Sequence, residues 1–134
     1  MGVCVLDTDV VIAALDRADA HHRAAARAFG LWAAEGVELL LCTVNYAEAL
    51  VRPGEEDRAM RAAVDAIASL GIRLEAPDAT LARSAARRRA LGISLADGFA
   101  LATAERANAN LATFDKRVRR ALAPAGISLS PAFS

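Results

Sequence analysis

Short apolar runs alternate with longer helix-forming stretches along the whole chain, and this alternation restricts the fold more than any other feature. The strand candidates are Val3–Leu6, Glu38–Cys42, Ile72–Glu75, Asn110–Thr113 and a weaker Ile127–Leu129. Helices are expected over Val10–Leu15, Ala20–Ala34, Val44–Val51, Glu56–Leu70, Ala79–Leu91, Leu95–Ala107 and Lys116–Leu122. Gly36, Gly71, Gly92 and Gly126 fall just past helix ends, where a left-handed residue commonly closes the last turn. Pro53-Gly54 and Pro77-Asp78 mark turns. A β-α rhythm of this kind predicts an α/β fold with a central, mostly parallel five-stranded sheet flanked by helices on both faces. No repeat or linker divides the sequence, so residues 1–134 are expected to form one domain.

Sixteen basic and sixteen acidic residues cancel, so global charge selects no partner and any nucleic-acid binding must rest on local clusters. The hydrophobic share of 55% and the mean hydropathy of +0.28 are high for a soluble monomer. That surplus points to self-association as a homodimer or to a protein partner. Cys4 and Cys42 both lie in strand candidates and read as reduced core thiols, with no zinc-type spacing. The first apolar run is cut at Asp7 and no run reaches membrane-spanning length, so a cytoplasmic protein without a membrane association is expected.

Four carboxylates stand out against this pattern. Asp7, Glu48, Asp97 and Asp115 each sit in or directly after an apolar run, where an unpartnered buried acid costs several kcal/mol. In open parallel sheets, sites form in the crevice beyond the carboxyl ends of the strands. Asp7 follows the first strand, Asp115 follows the fourth, Glu48 lies early in the helix leaving the second, and Asp97 begins the helix leading into the fourth. Four acids at one sheet edge point to a divalent cation.

Each acid also has an ordinary structural explanation. Asp7 and Asp115 can cap the helices that follow them. Ser94-x-x-Asp97 matches a capping box, and Glu48 can be a plain helix glutamate. The ordered set argues against four coincidences. Glu48 and Asp97 weigh most, because Ala47, Ala49, Leu50 and Val51 flank the first, and Leu95, Phe99 and Leu101 the second. Gly98 adds to this: glycine within a helix costs about 1 kcal/mol against alanine and is tolerated where something must approach the backbone closely.

The segments LDTDVV, NYAEAL, SLADGFALATA and LATFDKRV, with Asp7, Glu48, Asp97 and Asp115, resemble a PIN domain, in particular the VapC-type toxins of bacterial toxin–antitoxin pairs. The resemblance covers essentially the whole chain, in order. It implies a Mg²⁺- or Mn²⁺-dependent endoribonuclease restrained by a cognate antitoxin, with these acids as its quartet. Relatives often carry Asn or Ser at position 9, where this chain has Asp9, a fifth acid at the site's edge. They often carry another acid at position 117, where this chain has Arg117. The chemistry suits hard cations, which prefer oxygen ligands and acidify bound water. Thr8 and Thr113 are placed to orient the carboxylates beside them.

An acidic centre repels RNA, so cations should surround it. Lys116, Arg117, Arg119 and Arg120 cluster beside Asp115, and Lys116, Arg117 and Arg120 among them are the candidates for phosphate contacts. Arg83, Arg87, Arg88 and Arg89 read as a solvated helix face. With aromatics at 4%, base stacking is expected to contribute little. His21 and His22 read as surface residues, and Phe29 with Trp32 as core. Two other readings compete. Asp7-Thr8-Asp9-Val10-Val11 also resembles the nucleophile motif of haloacid-dehalogenase-like phosphatases, with Thr43 as a possible second motif. That family's later lysine and acidic pair have no match here. The third reading is a catalytically silent PIN-like interaction module.

Overall fold

The computed structural model describes residues 2–133. Four strands, β1 (Val3–Leu6), β2 (Glu38–Cys42), β3 (Ile72–Glu75) and β4 (Asn110–Ala112), form one all-parallel sheet in the order β3-β2-β1-β4. The helices are α1 (Thr8–Leu15), α2 (His22–Glu35), α3 (Thr43–Ala49), α4 (Asp57–Ser69), α5 (Ala79–Arg88), α6 (Leu95–Arg106) and α7 (Lys116–Leu122). Single 3-10 turns lie at Pro53–Glu55, Arg89–Leu91 and Pro131–Phe133.

Period-two alternation in the central strands splits the core into two layers. Cys4, Leu6, Leu39 and Leu41 face α1, α2, α3 and α4, where Val10, Val11, Phe29, Trp32 and Ile67 fill one side. Val5, Leu40 and Leu111 face α6 and α7, packing on Leu101, Ala104, Val118 and Leu122. Phe29 and Trp32 are core residues, as the sequence suggested. Cys4 and Cys42 are buried free thiols, and burial pushes Cys4 up to about 12, so it behaves as an apolar side chain.

The expected fifth strand does not form. Leu129 makes only an isolated parallel bridge to Leu111, through Leu111 N–H to Ser128 O at 3.0 Å and Ser130 N–H to Leu111 O at 2.8 Å. Pro131 follows, has no N–H to continue a ladder, and opens a 3-10 turn instead. β4 also stops one residue short of the expected Thr113, because the next amides turn to side chains: Phe114 N–H to Asp9 and Asp115 N–H to the Thr113 hydroxyl.

Gly98 has the close neighbour its position implied. A Cβ there would stand 2.5 Å from the Ala85 carbonyl oxygen of α5, so α6 lies against the α5 backbone. We expect Gly98→Ala to lower stability by about 1–3 kcal/mol, the overpacking cost exceeding the helix-propensity gain of about 1 kcal/mol. Chemical denaturation of the two proteins measures the difference.

Candidate metal centre

The strand order places a topological switch between β1 and β4: the chain proceeds outward from β1 to β3, then returns to the other side of β1. Crevices at such points collect functional groups. Here a cleft of about 500 Å³ is lined by Asp7, Thr8, Asp9, Glu48, Asp97, Asp115 and Arg117, with Ile12 and Gly92–Ser94 as its remaining wall. The acids singled out in the sequence therefore share one cavity, and Asp9 joins them.

Asp7 is the innermost, only 2% exposed. Its Oδ1 accepts the Thr8 N–H at 2.8 Å, which starts α1 two residues earlier than the apolar pattern indicated. Its Oδ2 accepts the Thr113 hydroxyl at 2.8 Å, and that same hydroxyl accepts the Asp115 N–H at 3.1 Å. Thr113 thus couples the two strand ends through one oxygen. Asp115 Oδ1 caps α7 by accepting the Arg117 and Val118 N–H groups at 2.8 and 3.3 Å. Ser94 and Asp97 form the reciprocal capping box at the start of α6. The structural roles are real, and they coexist with a shared cleft rather than excluding one.

Burial differs among the acids. Asp9, Asp97 and Asp115 are half-buried, and Glu48 is exposed at the rim of α3, as are Val51 and Leu95. The flanking apolar residues therefore did not signify a helix buried all round at α3, whereas α6 is buried at Gly98 and from Ala100 to Ala104. Asn45, Ala49 and Leu50 face inward, while Ala47 and Glu48 lie on the wet side of α3.

The electrostatics are those of crowded like charges. Burial, then Asp9 and Asp97, raise the Asp7 carboxyl well above its ordinary range, against opposing bonds from Thr113 and Thr8. Burial also raises Asp9 to about 6; the Phe114 N–H opposes this, while Asp115 and Asp97 add to it. Asp9 Oδ2 accepts that N–H at 3.0 Å, but its buried Oδ1 has no hydrogen-bond partner among the described residues.

This donor set fits a hard divalent cation: every candidate ligand is a carboxylate oxygen, one buried lone oxygen awaits a partner, and the repulsion is of the sign a cation relieves. Asp7, Asp9, Glu48, Asp97 and Asp115 are the residues that would hold it. Among the described residues, no three acids, histidines or cysteines stand close enough to complete such a shell as placed.

Two residues support the site in ways local sequence does not mark, although Arg119 belongs to the basic cluster beside Asp115. Asn45 is fully buried on α3, its amide donating to Thr8 Oγ1 at 3.1 Å and to the Ala96 carbonyl at 3.0 Å, so it ties the starts of α1 and α6 together. An asparagine in a short helix reads as an indifferent polar residue. Arg119 donates to the Thr113 carbonyl at 3.0 Å and so serves the β4 end rather than solvent. Of the proposed phosphate contacts, Arg117 lines the cleft, while Lys116 and Arg120 are exposed on α7 outside its lining. In the other cluster, Arg88 pairs with Glu105 and so ties α5 to α6, and Arg89 donates to the Ile93 carbonyl at 2.9 Å across the 3-10 turn that follows. His22 is likewise no free surface residue: its half-buried ring donates to the Ala13 carbonyl at 2.7 Å.

An all-parallel α/β domain with acids gathered at its switch point is a narrow class. The PIN-domain family model matches residues 4–122, and the chain belongs to that family. Solved structures of the same fold include the VapC20 toxin of Mycobacterium tuberculosis, described as cleaving the sarcin-ricin loop. It is 22% identical, with a TM-score of 0.72 over 88% of this chain and 94% of that one. VapBC2 from Rickettsia felis, bound to a DNA fragment from its promoter, is 17% identical, with a TM-score of 0.74 over 96% and 97%. VapBC-1 from nontypeable Haemophilus influenzae is 13% identical, with a TM-score of 0.72 over 98% and 99%. No curated protein matches the sequence. Among the described residues, no helix is long and apolar enough to cross a membrane.

Proposed function

We propose that this chain is a Mg²⁺- or Mn²⁺-dependent endoribonuclease and the toxin of a toxin–antitoxin pair, active on RNA phosphodiesters and restrained by a cognate antitoxin. One observation carries the reading: Asp7, Asp9, Glu48, Asp97 and Asp115 line a single cleft at the switch point of a PIN fold. The likeness to VapC toxins supports the choice of substrate and partner. A bound divalent ion would supply Lewis acidity toward the phosphodiester and an acidified water.

The chain's own residues do the rest. Thr113 holds Asp7 and Asp115 in fixed relation, Asn45 holds the α1 and α6 starts that carry Thr8, Asp9 and Asp97, and Arg117 offers positive charge at the cleft wall. Lys116 and Arg120 extend that charge along α7, so neutralising the three should weaken RNA binding for all sequences and flatten its salt dependence. An effect confined to one RNA sequence would assign them to bases instead. The apolar surplus and exposed Val51 and Leu95 suit a homodimer or the antitoxin contact.

Purified protein freed of antitoxin is expected to cleave RNA with Mg²⁺ or Mn²⁺ and to lose that activity in EDTA, while p-nitrophenyl phosphate remains intact. Hydrolysis of p-nitrophenyl phosphate without RNA cleavage would favour the phosphatase motif at Asp7 and Asp9. Neither activity would leave the silent module.

A further inference from the structure

A column of aromatic rings runs from the core outward to His21 by way of Phe114, the residue between Thr113 and Asp115 in the chain. Phe29 meets Trp32 edge-on with centroids 5.0 Å apart, and Trp32 stacks on Phe133 at 5.9 Å. Phe133 stacks on Phe114 at 4.6 Å, and Phe114 on His21 at 4.3 Å with only 7° between the planes. The inner members are fixed by burial, Trp32 being 3% and Phe29 7% exposed. The outer member, His21, is exposed.

Its position relative to the acids is set at both ends. Phe114 lies between Thr113 and Asp115 in the chain, and its backbone N–H donates to Asp9 at 3.0 Å, so the backbone that carries this ring adjoins the carboxylates. The loop bearing His21 is pinned too: Asp16 accepts the Ala18 N–H at 2.9 Å and Asp19 accepts the His21 N–H at 2.8 Å. One face of the imidazole is covered by Phe114 and the ring is otherwise open to solvent. A flat, pre-set ring beside a phosphodiester site is suited to receive another flat ring, since little ordering entropy is lost on contact.

We infer that the outer face of His21 is a stacking platform for one nucleobase of the substrate RNA, beside the phosphodiester held at the carboxylates. This rests on the nuclease reading above, and it revises the expectation that stacking contributes little. The outer column is built from residues 21, 114 and 133, which are far apart in the sequence, so a low aromatic content still builds a continuous stack. His21 acts here as a positioning residue.

The test is steady-state cleavage of an RNA oligonucleotide by wild type, His21→Ala and His21→Trp, with abasic nucleotides scanned along the substrate. His21→Ala should raise KM about tenfold while kcat stays within about twofold, and His21→Trp should restore KM. At one position next to the scissile phosphate, the abasic substrate should cost wild type the same factor and cost His21→Ala nothing more. Equal KM for wild type and His21→Ala overturns the platform. So does a His21→Ala penalty identical for every abasic substrate, since that would be a structural effect passed through Phe114. Wild type that neither cleaves nor binds these oligonucleotides with metal present overturns the nuclease reading itself, and the platform with it.

Discussion

Asp7→Asn should lower RNA cleavage by about a hundredfold or more while leaving the protein folded. The substitution removes the charge of the innermost acid but keeps its shape, so the Thr8 N–H and Thr113 hydroxyl still find an oxygen or amide partner. What disappears is a buried negative oxygen at the switch point, where several kcal/mol of metal-assisted stabilisation would be anchored. The fold should not suffer, because the wild-type carboxylate is held there against burial and against Asp9 and Asp97. Single-turnover cleavage with saturating Mn²⁺, together with a melting curve, separates lost chemistry from lost structure. Full activity in a folded Asp7→Asn protein would exclude Asp7 from the centre.

Asp97→Asn should melt higher than wild type in EDTA, by about 4 °C for each kcal/mol of relieved repulsion. Asp97 raises both Asp7 and Asp9, so removing its charge relaxes two neighbours at once. Asparagine keeps an oxygen for the Ser94 N–H, so the capping box largely survives. The variant should also gain less from Mg²⁺ or Mn²⁺, because ligands that bind only the folded state stabilise by linkage. The pH dependence has a definite sign. Asp9 titrates near 6 in the folded chain against 3.8 ordinarily, and Asp7 is shifted the same way. The folded state therefore binds more protons between those values, and metal-free stability falls as pH rises through about 4 to 6 and stays low above. Asp78, lowered by the hydrogen bond from Arg106, contributes stability that is lost only below its ordinary value of 3.8, outside that window. Metal-free wild type should melt higher at pH 5 than at pH 7.5, and Asp97→Asn should show a smaller difference. An Asp97→Asn protein that melts lower than wild type in EDTA would reduce Asp97 to a helix cap.

The parts legible in the sequence are those set by local chemistry. β1, β2 and β3 span the residues expected: β1 and most of β2 are buried parallel strands and read as apolar runs, while the edge strand β3, with exposed Arg73 and Leu74, is bounded by Gly71 and Pro77. Gly36, Gly71, Gly92 and Gly126 all adopt positive φ at helix ends, as their positions indicated. The gathering of Asp7, Glu48, Asp97 and Asp115 followed from the rule that strand carboxyl ends share an edge. What escaped depends on contacts between distant residues. Nothing local marks Ile127–Leu129 as too brief to pair, since its failure comes from Pro131 and from β4 itself ending at Ala112. Asn45 matters only because Thr8 and Ala96 come to it from two other helices. His21 gains its place from Phe114, far along the chain. The degree of burial was also misread at Glu48, where small apolar neighbours line a helix that is wet on its outer side.

The central claim is that the five acids make one cation site, and metal binding without RNA tests it most directly. Calorimetric titration of metal-free protein with Mn²⁺ should show saturable binding that releases protons below about pH 6, as Asp9 and Asp7 ionise to receive the ion. Asp7→Asn should weaken that binding at least about tenfold. Mn²⁺ binding that is equally strong in wild type and Asp7→Asn, or none at millimolar metal, would contradict the account.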